Sequence, residues 1–209
     1  MILKAFSSRH YTPIFDVNEP FVSEIDEQDE YMFSGGFDLY KENEDIENYD
    51  DAERIIATVR GIFFDEDKIL DDDQDIVDLA DMLDGDVYTA MYALSKSKLY
   101  NQDPNEDKMF LPLFSCYVQR VYVYPEFRQS GIAQYIFTNM EQIFLHCFNT
   151  NIHSFVIYPK PQQPDPQGNW INSSDDKGVM LNCMVKVIKS FGFSPLGSSG
   201  YFAKNCAVY

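Results

Sequence analysis

The sequence predicts an α/β fold, and three observations carry that expectation. Residues 115–123 read as a strand, with Val121 and Val123 alternating until Pro125, which cannot continue a sheet interior. From Gly131 the apolar positions Ile132, Tyr135, Ile136, Met140, Ile143, Phe144 and Cys147 follow the helical period. A compact apolar run at 152–158 reads as another strand, and Leu181, Met184, Val185, Ile188 and Phe191 return to helical spacing.

The remaining elements follow in chain order. Residues 1–29 show no clear amphipathic helix. Residues 30–40, with Phe33-Ser-Gly-Gly-Phe37, suggest an early strand kinked at its glycines. Residues 43–51 form a polar, acidic loop. Residues 55–64 are β-branched and aromatic, the composition of a strand. Ile76, Leu79, Ala80 and Leu83 suggest a helix over 73–84, capped by Asp72 or Asp73 and ended by Gly85. A second strand is expected at 87–94, then a polar stretch at 95–107. Residues 159–177 hold four prolines and one glycine and read as a loop. Gly192 supplies a left-handed residue after the last helix, and 200–209 reads as a closing strand. No internal repeat divides the chain. The expectation is one domain, 1–209, with an acidic N-terminal half at 1–110 and a second half at 111–209.

Charge separates these halves. The net charge is −18. Residues 38–86 hold 19 of the 34 acids against four Lys or Arg, whereas 110–158 holds two of each. Such an acidic lobe disfavours nucleic acid, whose phosphates need Lys and Arg. It suits cations instead: a cationic small-molecule amine or a basic protein segment. Asp71, Asp73 and Asp75 do not make an EF-hand, because Ile76 stands where Gly is needed and Met82 where Glu is needed. The three histidines are scattered, and no metal-ligand spacing exists, so no metal is expected. No run of 18 apolar residues suggests a membrane span, and no signal peptide is recognised. The four cysteines, without a Cys-x-x-Cys, fit free thiols in a reducing cytoplasm.

The strand–loop–helix at 121–133 carries a more specific signal. The first amides of a helix lack intrahelical partners, and its dipole favours anions. Arg128-Gln129-Ser130-Gly131-Ile132-Ala133, led in by Tyr124-Pro-Glu-Phe127, resembles the acyl-CoA motif of the GNAT family of N-acetyltransferases, Arg/Gln-x-x-Gly-x-Gly/Ala. The order of elements over roughly 113–207 is similar to that family's C-terminal half. The resemblance implies a mixed, splayed central β-sheet flanked by helices. It implies acetyl-CoA as cofactor and acetyl transfer to a primary amine. Val121, Tyr122 and Val123 would lie along pantetheine. Ser130 and the amides of Gly131, Ile132 and Ala133 would face the pyrophosphate, beside Arg128 and Gln129. Asn182 would be a further cofactor contact.

The sequence departs from the family in its chemistry. Many members carry a Tyr four residues before the Gly of the final Gly-Phe, as proton donor to the leaving thiolate. Ile188 stands there, leaving Tyr201 and Tyr158 as candidates. The strand 115–123 has no carboxylate to act as base, and Gln119 can only orient a water. A GNAT-fold binding or regulatory protein, using its acidic face on a basic partner, is therefore the alternative to an enzyme.

Overall fold

The computed structural model describes residues 2–7, 30–40, 55–98, 113–167, 169–172 and 178–206. It is a mixed α/β fold built on one seven-stranded sheet. In chain order the strands are β1 (Ile2–Ser7), β2 (Met32–Tyr40), β3 (Ile55–Asp65), β4 (Leu113–Val123), β5 (Asn151–Ile157), then the β6–β7 hairpin (Gln162–Pro164, Trp170–Asn172), β8 (Ser194–Pro195) and β9 (Phe202–Asn205). The sheet order is β1-β2-β3-β4-β5-β9-β8, with the β6–β7 hairpin outside it. Every pairing is antiparallel except β4 with β5, which are parallel. A parallel pair needs a crossover helix, and α4 (Ile132–Phe148) supplies it.

Both faces of the sheet are covered, so β3 and β5 are buried nearly throughout. Alternation sends Val59, Phe63, Phe114, Cys116, Val118 and Phe155 toward α4, where they meet Ile136, Met140, Phe144 and Phe148. Ile188 of α5 (Val179–Ser190) joins that core. The opposite face buries Ile62, Phe64, Tyr117 and Val156 under three short helices. These are α1 (Glu66–Asp71), α2 (Ile76–Asp81) and α3 (Gly85–Ser95).

These three helices correct the sequence reading. The helix expected at 73–84 is present but shorter, as α2 at Ile76–Asp81, and Asp73, at φ 53°, lies in the turn that separates it from α1. Asp75, not Asp72 or Asp73, caps α2 through the Val77 amide at 2.8 Å. Gly85 opens a helix rather than ending one. Asp84 accepts the amides of Asp86 and Val87 at 2.8 and 2.9 Å, nucleating α3. The strand expected at 87–94 is therefore helical: Val87, Ala90, Met91 and Leu94 bury one helical stripe.

The glycine pair in β2 is not a kink. Gly35 and Gly36 pair in continuous register with Ser7 and Phe6 on one side and with Gly61 and Arg60 on the other. A Cβ on Gly36 would lie 2.1 Å from the Val59 carbonyl oxygen, so a close backbone approach requires glycine there. Register slips elsewhere. Arg60 faces Arg120 and Gly61 faces Val118, leaving Gln119 as a bulge in β4. The loops expected at 43–51 and at 99–107 lie outside the described residues. No helix among the described residues is long and apolar enough to cross a membrane.

Candidate functional site

The bulge at Gln119 marks where the sheet opens. β4 and β5 pair from Leu113 with Asn151 to Val118 with Ile157, and no further. β4 continues to Val123, still held by β3, so the two strands diverge as a wedge. The wedge encloses a cleft of about 310 Å³. Its walls are β4 from Val118 to Val123, the segment 157–162, the start of α4 and one face of α5. Ile188 and Phe137 close its floor, and Trp170 of the hairpin stands over β4.

The loop that follows β4 turns the chain into α4. Pro125–Phe127 form one turn of 3-10 helix, then Gln129 and Gly131 take left-handed φ values of 62° and 85°. Gly131 caps α4 without any side-chain bond. Tyr135 is the first amide bonded back, to the Gly131 carbonyl at 2.9 Å. Among the described residues, the amides from Gln129 to Gln134 have no backbone acceptor. This is a bank of free N–H groups at the positive end of a 17-residue helix.

The structure sorts the sequence-predicted residues. Val121, Tyr122, Val123, Arg128 and Ala133 line the cleft, as does Tyr158. Gln129 and Gly131 belong to the loop and Ile132 begins α4, and none of the three lines the cleft. Ser130 differs from expectation, because its hydroxyl donates to the Phe127 carbonyl and closes the turn. Asn182 is not a lining residue either; Met180, Cys183 and Met184 are the residues that α5 turns into the cleft there. Tyr201 is corrected most firmly. It is buried beneath α3, does not line the cleft, and its hydroxyl donates to the Asp86 carbonyl at 3.0 Å. Burial, followed by the charge of Asp86, raises its pKa to about 12. Its ring packs 4.9 Å from Tyr158, so it supports that residue from behind.

The charge lining the cleft was not legible in the sequence. Arg120, Arg128 and Lys160 line it, and among the described residues no Asp or Glu does. A chain of net charge −18 thus folds a locally cationic cleft. Arg128 donates from Nε to the Val123 carbonyl at 3.0 Å and lies 5.4 Å from the Tyr122 ring. Arg120 stacks on Trp170 at 3.7 Å. Tyr122 meets the same indole edge-on at 4.9 Å. Lys160 is 3.9 Å from Asp86, at the N-terminus of α3.

A second polar cluster lies inside the sheet, away from the cleft. Glu66, at the start of α1, accepts from the Ser115 hydroxyl and meets His153 Nδ1 at 3.0 Å. Ser115 and Ser154 share a 2.7 Å hydrogen bond. All four residues are buried. The Glu66 hydrogen bond raises the His153 pKa against the opposing effect of burial. The carboxylate lies between Ser and His, so the imidazole cannot take the serine proton as a nucleophilic triad requires. The cluster anchors α1 to β4 and β5. Among the described residues, no group of three His, Cys, Asp or Glu side chains could hold a metal ion.

No protein-family model, no curated protein and no solved structure matches this chain.

Proposed function

We propose that the chain is a GNAT-like N-acyltransferase that binds acetyl-CoA in the wedge between β4 and β5 and acetylates a primary amine. The observation that carries this reading is the wedge with its bank of free amides at the N-terminus of α4. Three further features support it. The mixed sheet, in which β4 and β5 pair in parallel only as far as Val118, is consistent with the mixed, splayed sheet that the resemblance implies. The lining is cationic and, among the described residues, free of carboxylates, which suits the phosphates of CoA. Beyond Val118 the inner edge of β4 has no strand partner among the described residues, so its backbone as far as Tyr122 is available to the amides of pantetheine, the Val123 carbonyl being held by Arg128.

In this reading the amides of Gly131, Ile132 and Ala133 hold the pyrophosphate and Arg128 flanks it. The amine nitrogen attacks the thioester carbonyl, an N–C bond forms and the C–S bond breaks. The thiolate takes a proton and the amine releases one to water. Tyr158, half-exposed on the cleft wall, is the hydroxyl available to the thiolate, since Ile188 cannot donate. Among the described residues the acids expected to attract a cationic acceptor lie outside the lining, and Asp86 is 3.9 Å from the lining residue Lys160.

One observation favours a binding or regulatory protein of the same fold. The lining contains no carboxylate to act as base, and Tyr201 is committed to Asp86. Calorimetric titration with acetyl-CoA separates these readings from none at all. Micromolar binding, abolished in Gly131→Val, supports the site, and release of CoA in the presence of amines then distinguishes enzyme from binder. A folded wild type that does not bind acetyl-CoA removes both acyl-CoA readings.

A further inference from the structure

Arg120 is placed where a sheet would not keep a cation for stability. It sits directly across from Arg60, and like charges opposed on antiparallel strands repel. Arg60 is neutralised: its Nη1 and Nη2 reach the two Asp38 carboxylate oxygens at 2.8 and 3.2 Å. Among the described residues Arg120 has no such partner. Its Nε is buried without a hydrogen bond, and no carboxylate of the described residues lines the cleft around it. Burial, and then the charge of Arg60, lowers its pKa to about 10. The Trp170 ring fixes the plane of the guanidinium at 3.7 Å, leaving its donors directed by a rigid stack.

A partly buried guanidinium, stacked on a ring and with no carboxylate beside it among the described residues, is suited to receive a planar anion. The position on β4 narrows the ligand. Arg120 follows the point of divergence at Val118 by two residues, whereas the free amides begin beyond Val123. At about 3.3 Å per residue, Arg120 is on the order of 10 Å from the strand end that leads to the anion-binding loop. The two positive sites therefore serve different groups.

We propose that Arg120, stacked on Trp170, binds a carboxylate carried at the reacting end of the ligand, on either the acyl group or the amine acceptor. Its place at the reacting end rests on the acyl-CoA reading; the carboxylate receptor itself rests on Arg120 and Trp170.

Trp170 is the sole tryptophan in the sequence, so its fluorescence reports on this stack alone. The experiment titrates wild type, Arg120→Gln and Arg120→Lys and follows that signal. One arm compares succinyl-CoA with acetyl-CoA. The other compares phenylalanine with phenylalaninamide, with and without CoA. The expected result is at least a tenfold preference for the carboxylate in one arm, which identifies its source. Arg120→Gln erases that preference, and Arg120→Lys, without the planar stack, restores only part of it. Thermal unfolding gives a second readout: Arg120→Gln should match or exceed the wild-type Tm, because a repelled, desolvated charge has been removed. No carboxylate preference in either arm, or an equal one in Arg120→Gln, overturns the proposal. So does a Tm loss in Arg120→Gln with ligand binding intact, which would make Arg120 a structural clamp. Phenylalanine binding that depends on Arg120, in a protein that binds no CoA ester, would keep this receptor and remove the acyl-CoA reading.

Discussion

Replacing Glu66 with Gln tests whether the buried cluster at the root of α1 is held by charge. The wild-type carboxylate accepts from Ser115 and from His153 Nδ1, and all three side chains are buried. Glutamine keeps the volume and one acceptor oxygen, so the Ser115 bond can survive while the ionic attraction to His153 is lost. Losing a charged hydrogen bond and leaving a buried imidazole poorly matched should cost about 2–4 kcal/mol. The pH dependence is more diagnostic. Glu66 raises the His153 pKa above its ordinary value near 6.5. A raised folded-state pKa means protonated His153 stabilises the fold fully below about pH 6.5. That contribution is lost as pH rises through the folded-state value. Each unit of difference between folded and unfolded values is about 1.4 kcal/mol. In Glu66→Gln only burial remains, which lowers an imidazole pKa, so the slope should vanish or reverse. The assay is urea unfolding from pH 5.5 to 8.5, read as the difference between the two proteins. Only three histidines exist, so little else titrates in that window. A variant with the wild-type pH slope, or a cost under about 0.5 kcal/mol, would refute the charged pairing.

Three further outcomes are expected. Gly36→Ala should destabilise the protein by about 1–3 kcal/mol or more in urea unfolding, because its Cβ meets the Val59 carbonyl at 2.1 Å and backbone cannot easily yield. Met91→Ala should cost about 2–5 kcal/mol and Tyr92→Ala under about 1, since α3 buries the first completely and exposes the second. Asp84→Ala should remove about 1 kcal/mol and reduce helical circular dichroism, as two amides lose their cap.

The second half of the fold was legible because its signals are local and its periods long. Residues 132–148 repeat apolar positions over more than four turns, and the β-branched and aromatic residues of β4 and β5 mark both as strands. The acidic helices were harder to read. Each of α1 and α2 spans only six residues, too short for a period to declare itself. In α3, Tyr88 and Tyr92 are exposed beside buried Val87 and Met91, so the mixture of aromatic and β-branched residues imitated a strand. Asp84 was the available signal: a capping acid before Gly85 marks a start. At the site, the loop that leads into α4 was visible as a motif, but the positive cleft was not. Arg120 and Lys160 are 40 residues apart, and only the parallel pairing of β4 with β5 brings them to one wedge. Tyr201 misled because an exposed phenol and a buried one look alike in sequence. Its burial depends on α3, read as a strand.

The divergence of β4 from β5 also bears on how this sheet coexists with other proteins. An unpaired strand edge invites another chain to add to it, and sheets blunt their outer strands for that reason. Here the free edge of β4 is in the middle of the sheet, walled by α4, α5 and the β6–β7 hairpin. A whole strand needs nearly 5 Å of spacing on each side plus room for side chains on both faces. Those walls stand where a further strand would have to lie. The edge is thereby shielded from the addition of another chain in a way that an outer strand is not.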